Sequence, residues 1–194
     1  ELNTPTRRAR EVLRRAPPSP GERVLDIGCG TGELAVLLSE AVGDEGWTDT
    51  VDVEAKAVQA ASRRAARRGA VVHSHVASIE RLPFEDDTFD RVYATMVVHH
   101  LEPEAKSVGF GEVVRVLKPG GSFLVVDFGR PSGFLARVLF FPLYVLERYR
   151  FSSGSALGPH LRGEIPALLK ETGFSEVRLL GHSFGIIDYL LATL

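Results

Sequence analysis

Three glycines spaced two apart, Gly28, Gly30 and Gly32, follow the apolar run Val24-Leu-Asp-Ile27 and lead into a helical sequence. Glycine allows the positive φ of a tight turn and lets the backbone approach a ligand more closely than any Cβ would permit. A helix that starts at such a turn presents unpaired N–H groups at the positive end of its dipole. Residues 24–35 therefore read as strand, cofactor cradle and helix start, with Asp26 just ahead of the glycines and Cys29 between them. Roughly twenty residues beyond the loop, Asp52 closes a second apolar run and is followed by Val53. An acid placed there can accept both hydroxyls of a ribose, each charged bond being worth about 1.5–3 kcal/mol. Loop and acid together point to a cofactor that carries adenosine.

Other residues offer chemistry with less support. His99 and His100 stand where a fourth apolar run ends, and histidine is the side chain most easily used as a base near neutral pH. They are the candidate catalytic residues. Cys29 could be a nucleophile, but within a glycine loop it reads as a small packed side chain. His73 and His75 share one side of a strand with no third ligand nearby in sequence, so no metal site is expected. Arg63, Arg64, Arg67 and Arg68 fall at helical spacing and read as a solvated helix face, not a nucleic-acid surface.

The elements that must hold these residues follow from periodicity. After a basic helix at 6–16 and the break Pro17-Pro18-Ser19-Pro20, strands are expected at 23–27, 48–53, 70–76, 89–94 and 122–127. Most are separated by helical stretches of about a dozen residues, the pattern of repeated βαβ units. A helix at 104–117 places Ala105, Val108, Val113, Val116 and Leu117 broadly on one face, and Lys118-Pro119-Gly120-Gly121 stops it. Strands at 176–180 and 185–191 lie close enough to form an antiparallel hairpin. At 194 residues and a net charge of −2, the chain is expected to be one domain over 1–194, with no footprint for nucleic acid. One cysteine excludes an internal disulfide, which fits a cytoplasmic placement. Residues 133–150 read as a long helix apolar almost all round, followed by a Ser- and Gly-rich loop at 152–159. Such a helix is buried or meets something apolar. The options for 134–146 are core, homodimer contact, peripheral membrane contact, or part of 133–160 acting as a lid over a lipophilic acceptor.

The glycine spacing G-x-G-x-G, preceded by Asp26, resembles motif I of the class I methyltransferases that use S-adenosylmethionine (SAM). Leu82-Pro83-Phe84, His99-His100-Leu101 and Leu117-Lys118-Pro119-Gly120-Gly121 follow in an order similar to the small-molecule branch that includes the ubiquinone/menaquinone-biosynthesis and lipid methyltransferases. The resemblance covers residues 24–127 strongly and the tail loosely. It implies a Rossmann-like three-layer α/β sandwich whose seven-stranded, mostly parallel sheet has an antiparallel last strand. It implies SAM as cofactor, S-adenosylhomocysteine as product, and methyl transfer by in-line displacement to a small hydrophobic acceptor. Gly28 and Gly30 would meet the methionine part, Asp52 the ribose, Val53 the adenine, and Thr95 the amino-acid end through its backbone. The family's Asp-Ala pair at the adenine amino group is replaced here by Ser78-Ile79, and a hydroxyl accepts more weakly than a carboxylate. Two other readings stay open: a non-catalytic SAM-binding scaffold, and a nicotinamide-dependent oxidoreductase that shares the loop and Asp52.

Overall fold

The computed structural model describes residues 5–130 and 163–194. Its strands are β1 Arg23–Ile27, β2 Trp47–Asp52, β3 His73–Val76, β4 Phe89–Thr95, β5 Leu117–Phe128, β6 Glu176–Ser183 and β7 Ile187–Thr193. They form one sheet in the order β3-β2-β1-β4-β5-β7-β6. Strands β1 to β5 pair in parallel, and β7 enters antiparallel between β5 and β6. The described helices are α1 Pro5–Arg15, α2 Glu33–Val42, α3 Ala55–Arg68, α4 Pro103–Val116 and α5 Ile165–Glu171. A single 3-10 turn occupies Val98–His100.

Successive side chains on a strand point to opposite faces, and here both faces are covered. Val24, Tyr93, Leu124 and Val126 pack with Ala9, Val12, Leu34 and Leu38 of α1 and α2. Their neighbours Leu25, Val92, Phe123 and Val125 pack with Phe110, Val113 and Leu169 of α4 and α5. Sheets buried on both sides need near-continuous apolar strands, which is why the runs were visible in the sequence. The three-layer α/β architecture and its antiparallel seventh strand are those expected. Strand β5 begins earlier than expected, because Leu117 already pairs with Phe89 before the register shifts to Arg91–Ser122.

One helix face is corrected. In α4, Val108 is 52% exposed, and the buried residues are Lys106, Gly109, Phe110, Val113 and Val116. Phe110 meets Phe123 edge-on at 5.7 Å between ring centres, a larger apolar contact than Val108 could make. Gly109 admits Ile79, whose side-chain carbons would lie 3.0 Å from any Cβ there. Lys106 is tolerated on this face because the carboxylates of Asp127, Glu102 and Glu164 act on its ammonium. The helix expected at 133–150, the loop at 152–159 and every role suggested for 134–146 lie outside the described residues. Among the described residues no helix is long and apolar enough to cross a membrane.

Candidate cofactor and acceptor site

The strand order reverses between β1 and β4. In open α/β sheets a ligand crevice forms at such a switch point, outside the carboxyl ends of the strands. The glycine loop lies there. Gly28 N–H and Cys29 N–H both donate to Val51 O, at 2.8 and 3.2 Å, and so strap the loop to β2. The three glycines take positive φ values of 73°, 50° and 77°, but they do different things. A Cβ on Gly28 would overlap the Val97 side chain, whereas one on Gly30 would meet no protein atom within 4 Å. A Cβ on Gly32 would lie 2.7 Å from the Ala61 Cα of α3. Gly32 therefore also serves the close packing of α2 against α3.

A cavity of about 320 Å³, within the size range of small-molecule sites, opens between this loop, α1 and the end of β4. Arg8, Asp26, Gly28, Gly30, Thr95 and Met96 are among its lining residues. Asp26 is 2% exposed and its Oδ2 has no hydrogen-bond partner among the described residues. Burial, reinforced by the Asp52 charge, pushes its carboxyl up to about 8, against the opposing Ala35 backbone N–H. A buried carboxylate with a free oxygen complements an incoming cation, and the ammonium of SAM's methionine end is one. Thr95 also has a buried hydroxyl without a partner, so its side chain and not only its backbone is available. Met96 adopts φ 57°, a strained value for a side chain of this size, and its N–H donates to Val126 O at 2.8 Å. Cys29 is buried, and its thiol is pushed up to about 12, chiefly by burial. That leaves no thiolate for nucleophilic work near neutral pH.

Asp52 faces the same loop from β2. Its Oδ2 accepts from Gly30 N–H and its Oδ1 from Glu54 N–H, both at 3.0 Å. A carboxylate has about four acceptor sites, so two remain for ribose hydroxyls. Val53 beside it is exposed and available to an adenine ring. Ser78 spends its hydroxyl locally, donating to Glu80 Oε2 at 3.1 Å and accepting from Glu80 N–H at 3.2 Å. The Ile79 side chain is buried in the core, so only its backbone can serve a ligand.

The histidines separate. His99 is half-buried, and its Nδ1 lies 2.7 Å from Asp127 Oδ1. His100 is exposed, with its ring centre 3.9 Å from that of His99. Asp127 and Lys106 were not among the expected site residues. Asp127 carried a signal all the same, since it ends an apolar strand as Asp52 does. His73 stacks on Trp47 at 4.0 Å between ring centres, and His75 Nε2 contacts Asp49 Oδ1 at 2.9 Å. Both are thus engaged structurally. Arg64 departs from the solvated stripe: it donates to Thr31 O at 2.7 Å and pairs with Glu33 at 2.8 Å, which fastens α3 to the glycine loop.

The architecture and the crevice at its switch point define a Rossmann-like methyltransferase. Residues 24–121 match the family model described as a methyltransferase domain. The demethylmenaquinone methyltransferase of Geobacillus kaustophilus is 29% identical over 91% of this chain and 80% of its own length. The ubiquinone/menaquinone biosynthesis C-methyltransferase UbiE of Vibrio campbellii is 30% identical over 87% of this chain and 70% of its own. A SAM-dependent methyltransferase structure from Aquifex aeolicus superimposes with a TM-score of 0.72 at 22% identity, covering 99% of this chain and 94% of that one. One from Methanosarcina mazei gives 0.72 at 20% identity, covering 94% and 96%. The chain belongs to the SAM-dependent methyltransferases, and SAM is its methyl donor.

Proposed function

We propose that the chain methylates a carbon of a quinone-type acceptor in its reduced, hydroquinone form. The observation that carries the acceptor class is the similarity, over most of both chains, to enzymes named for demethylmenaquinone and ubiquinone/menaquinone C-methylation. Bound SAM supplies an electrophilic methyl group on a sulfonium. Gly30 leaves room for it, Asp52 receives the ribose, and Asp26 with Thr95 receives the charged amino-acid end.

The chemistry asked of the remaining residues is modest. A quinone carbon is electron-poor, whereas a hydroquinone carbon becomes nucleophilic as its hydroxyl proton leaves; the methyl group replaces the ring hydrogen at that carbon, which departs as a proton as the ring regains aromaticity. His99 stands at the carboxyl end of β4 to take that proton, with the edge of its contact to Phe128 at 4.9 Å between ring centres offering an aromatic surface beside it. General-base assistance of this kind contributes about 10²–10⁴-fold. Alignment of donor and acceptor contributes up to about 7–11 kcal/mol.

The test incubates the protein with SAM and a prenylated naphthoquinone lacking the ring methyl, with and without a reductant. Mass spectrometry should find one methyl gained on the ring of the reduced acceptor only. Methylation of another acceptor class, or SAM binding with no transfer to a panel of acceptors, would overturn the reading.

A further inference from the structure

Building on the reading of His99 as proton acceptor, we propose that Asp127 is a positioning residue. It holds His99 in the Nδ1–H tautomer, so that the Nε2 lone pair is the one presented to the acceptor. The geometry has three parts. Asp127 is 2% exposed at the end of β5, and N–H groups converge on it. His99 N–H donates to Oδ2 at 3.1 Å, and Phe128 N–H donates to Oδ1 at 2.7 Å. His99 Nδ1 is at 2.7 Å from Oδ1. Donors converging on a carboxyl group favour its charged form, and an ionised carboxylate can only accept. The imidazole nitrogen facing it must therefore carry the hydrogen.

The second part is charge. Lys106 is fully buried on α4; burial lowers the basicity of its ammonium, and the Asp127 carboxylate is the largest of the influences that oppose this. A buried cation and anion stabilise each other where either alone would be very costly. The third part is the surroundings. Glu102 ahead of α4 and Glu164 ahead of α5 act on the same ammonium. His100 lies against the His99 ring. Asp188 stands opposite Asp127 in the β5–β7 register, but its Oδ1 is engaged by His182 Nδ1 at 2.6 Å. Asp127 is the carboxylate in contact with the His99 ring, its Oδ1 2.7 Å from Nδ1. The backbone bond to His99 N–H fixes where the ring begins and the side-chain bond fixes how it is turned. A catalytic imidazole needs both.

The experiment reads the tautomer directly, by nitrogen-15 NMR of histidine-labelled full-length protein, with His99 assigned from the His99→Gln variant. Neutral His99 is expected as Nδ1–H in the wild type. In Asp127→Asn the amide can donate to Nδ1, so the ring should move toward Nε2–H. Turnover of the hydroquinone should then fall about 100-fold or more in kcat, with SAM affinity within twofold of wild type. Asp127→Glu, which restores the anion, should recover part of both. A wild-type His99 found as Nε2–H would overturn the proposal without any variant. So would an Asp127→Asn protein that keeps both tautomer and kcat. If the tautomer moves as expected but the wild type leaves the hydroquinone unmethylated, the proposal stands and the acceptor reading fails.

Discussion

Replacing Asp26 with Asn should remove a pH dependence of SAM affinity that the wild type owes to this one buried group. The carboxyl is pushed up to about 8 by burial and by the charge of Asp52, and its Oδ2 has no partner among the described residues. If the ammonium of SAM pairs with the anion, binding must first ionise Asp26. With a midpoint of about 8, about one molecule in a hundred is ionised at pH 6 and about half at pH 8. The affinity should therefore rise about 50-fold across that interval, about 2.3 kcal/mol. Calorimetry in buffers of different ionisation enthalpy counts the protons, and about 0.9 should be released per SAM at pH 7. Asp26→Asn should release none and bind with a flat profile. Asp52→Asn should move the wild-type inflection to lower pH, since one of the two causes of the shift is gone. An affinity that changes less than about threefold between pH 6 and 8 in the wild type would refute the reasoning. So would a slope that survives in Asp26→Asn.

The same group predicts a cost to stability. An acid raised in the folded state holds a proton that the unfolded chain has lost, so without SAM stability falls by up to about 1.4 kcal/mol per pH unit between about pH 4 and 8. Asp26→Asn should consequently melt higher than the wild type at pH 8, as differential scanning calorimetry would record. Gly30→Val should abolish SAM binding by filling the open space, whereas Gly32→Ala should lower the melting temperature first, because its Cβ meets the Ala61 backbone. Asp52→Ala should weaken SAM by about 1.5–3 kcal/mol in calorimetric titration, the value of the ribose contacts. Ser78→Asp should bind SAM as well or better in the same titration, since a carboxylate accepts more strongly from an adenine amino group.

Much of the fold was legible because the sheet is buried on both faces, which forces the apolar runs, and because glycine turns have a compositional signature. The Gly28-to-Asp52 half of the site was legible for the same reason: it is local to two strand ends. What escaped notice depends on contacts distant in sequence. Arg8 and Ala9 reach the cofactor cavity only because α1 packs across α2. The His99–Asp127 pair joins residues 28 apart on different elements. Lys106 was passed over because a lysine was not expected on a buried face, although Lys106, Gly109, Phe110 and Val113 keep helical spacing. The apolar pattern of α4 placed Val113, Val116 and Leu117 correctly in the core, but it took in the exposed Val108 and left out Lys106 and Phe110. Ile79 and Gly32 carry packing roles that a local pattern does not disclose, Ile79 in the core and Gly32 against Ala61.

SAM is expected at the β1–β4 switch point, with its ribose on Asp52 and its amino-acid end toward Asp26. A crystal structure with S-adenosylhomocysteine tests this most directly. Ribose hydroxyls should lie within hydrogen-bond distance of Asp52, with the cofactor backbone passing over Gly30 and the ammonium facing Asp26 Oδ2. Ligand density outside this crevice, or inside it with the adenosine and amino-acid ends exchanged, would overturn this placement.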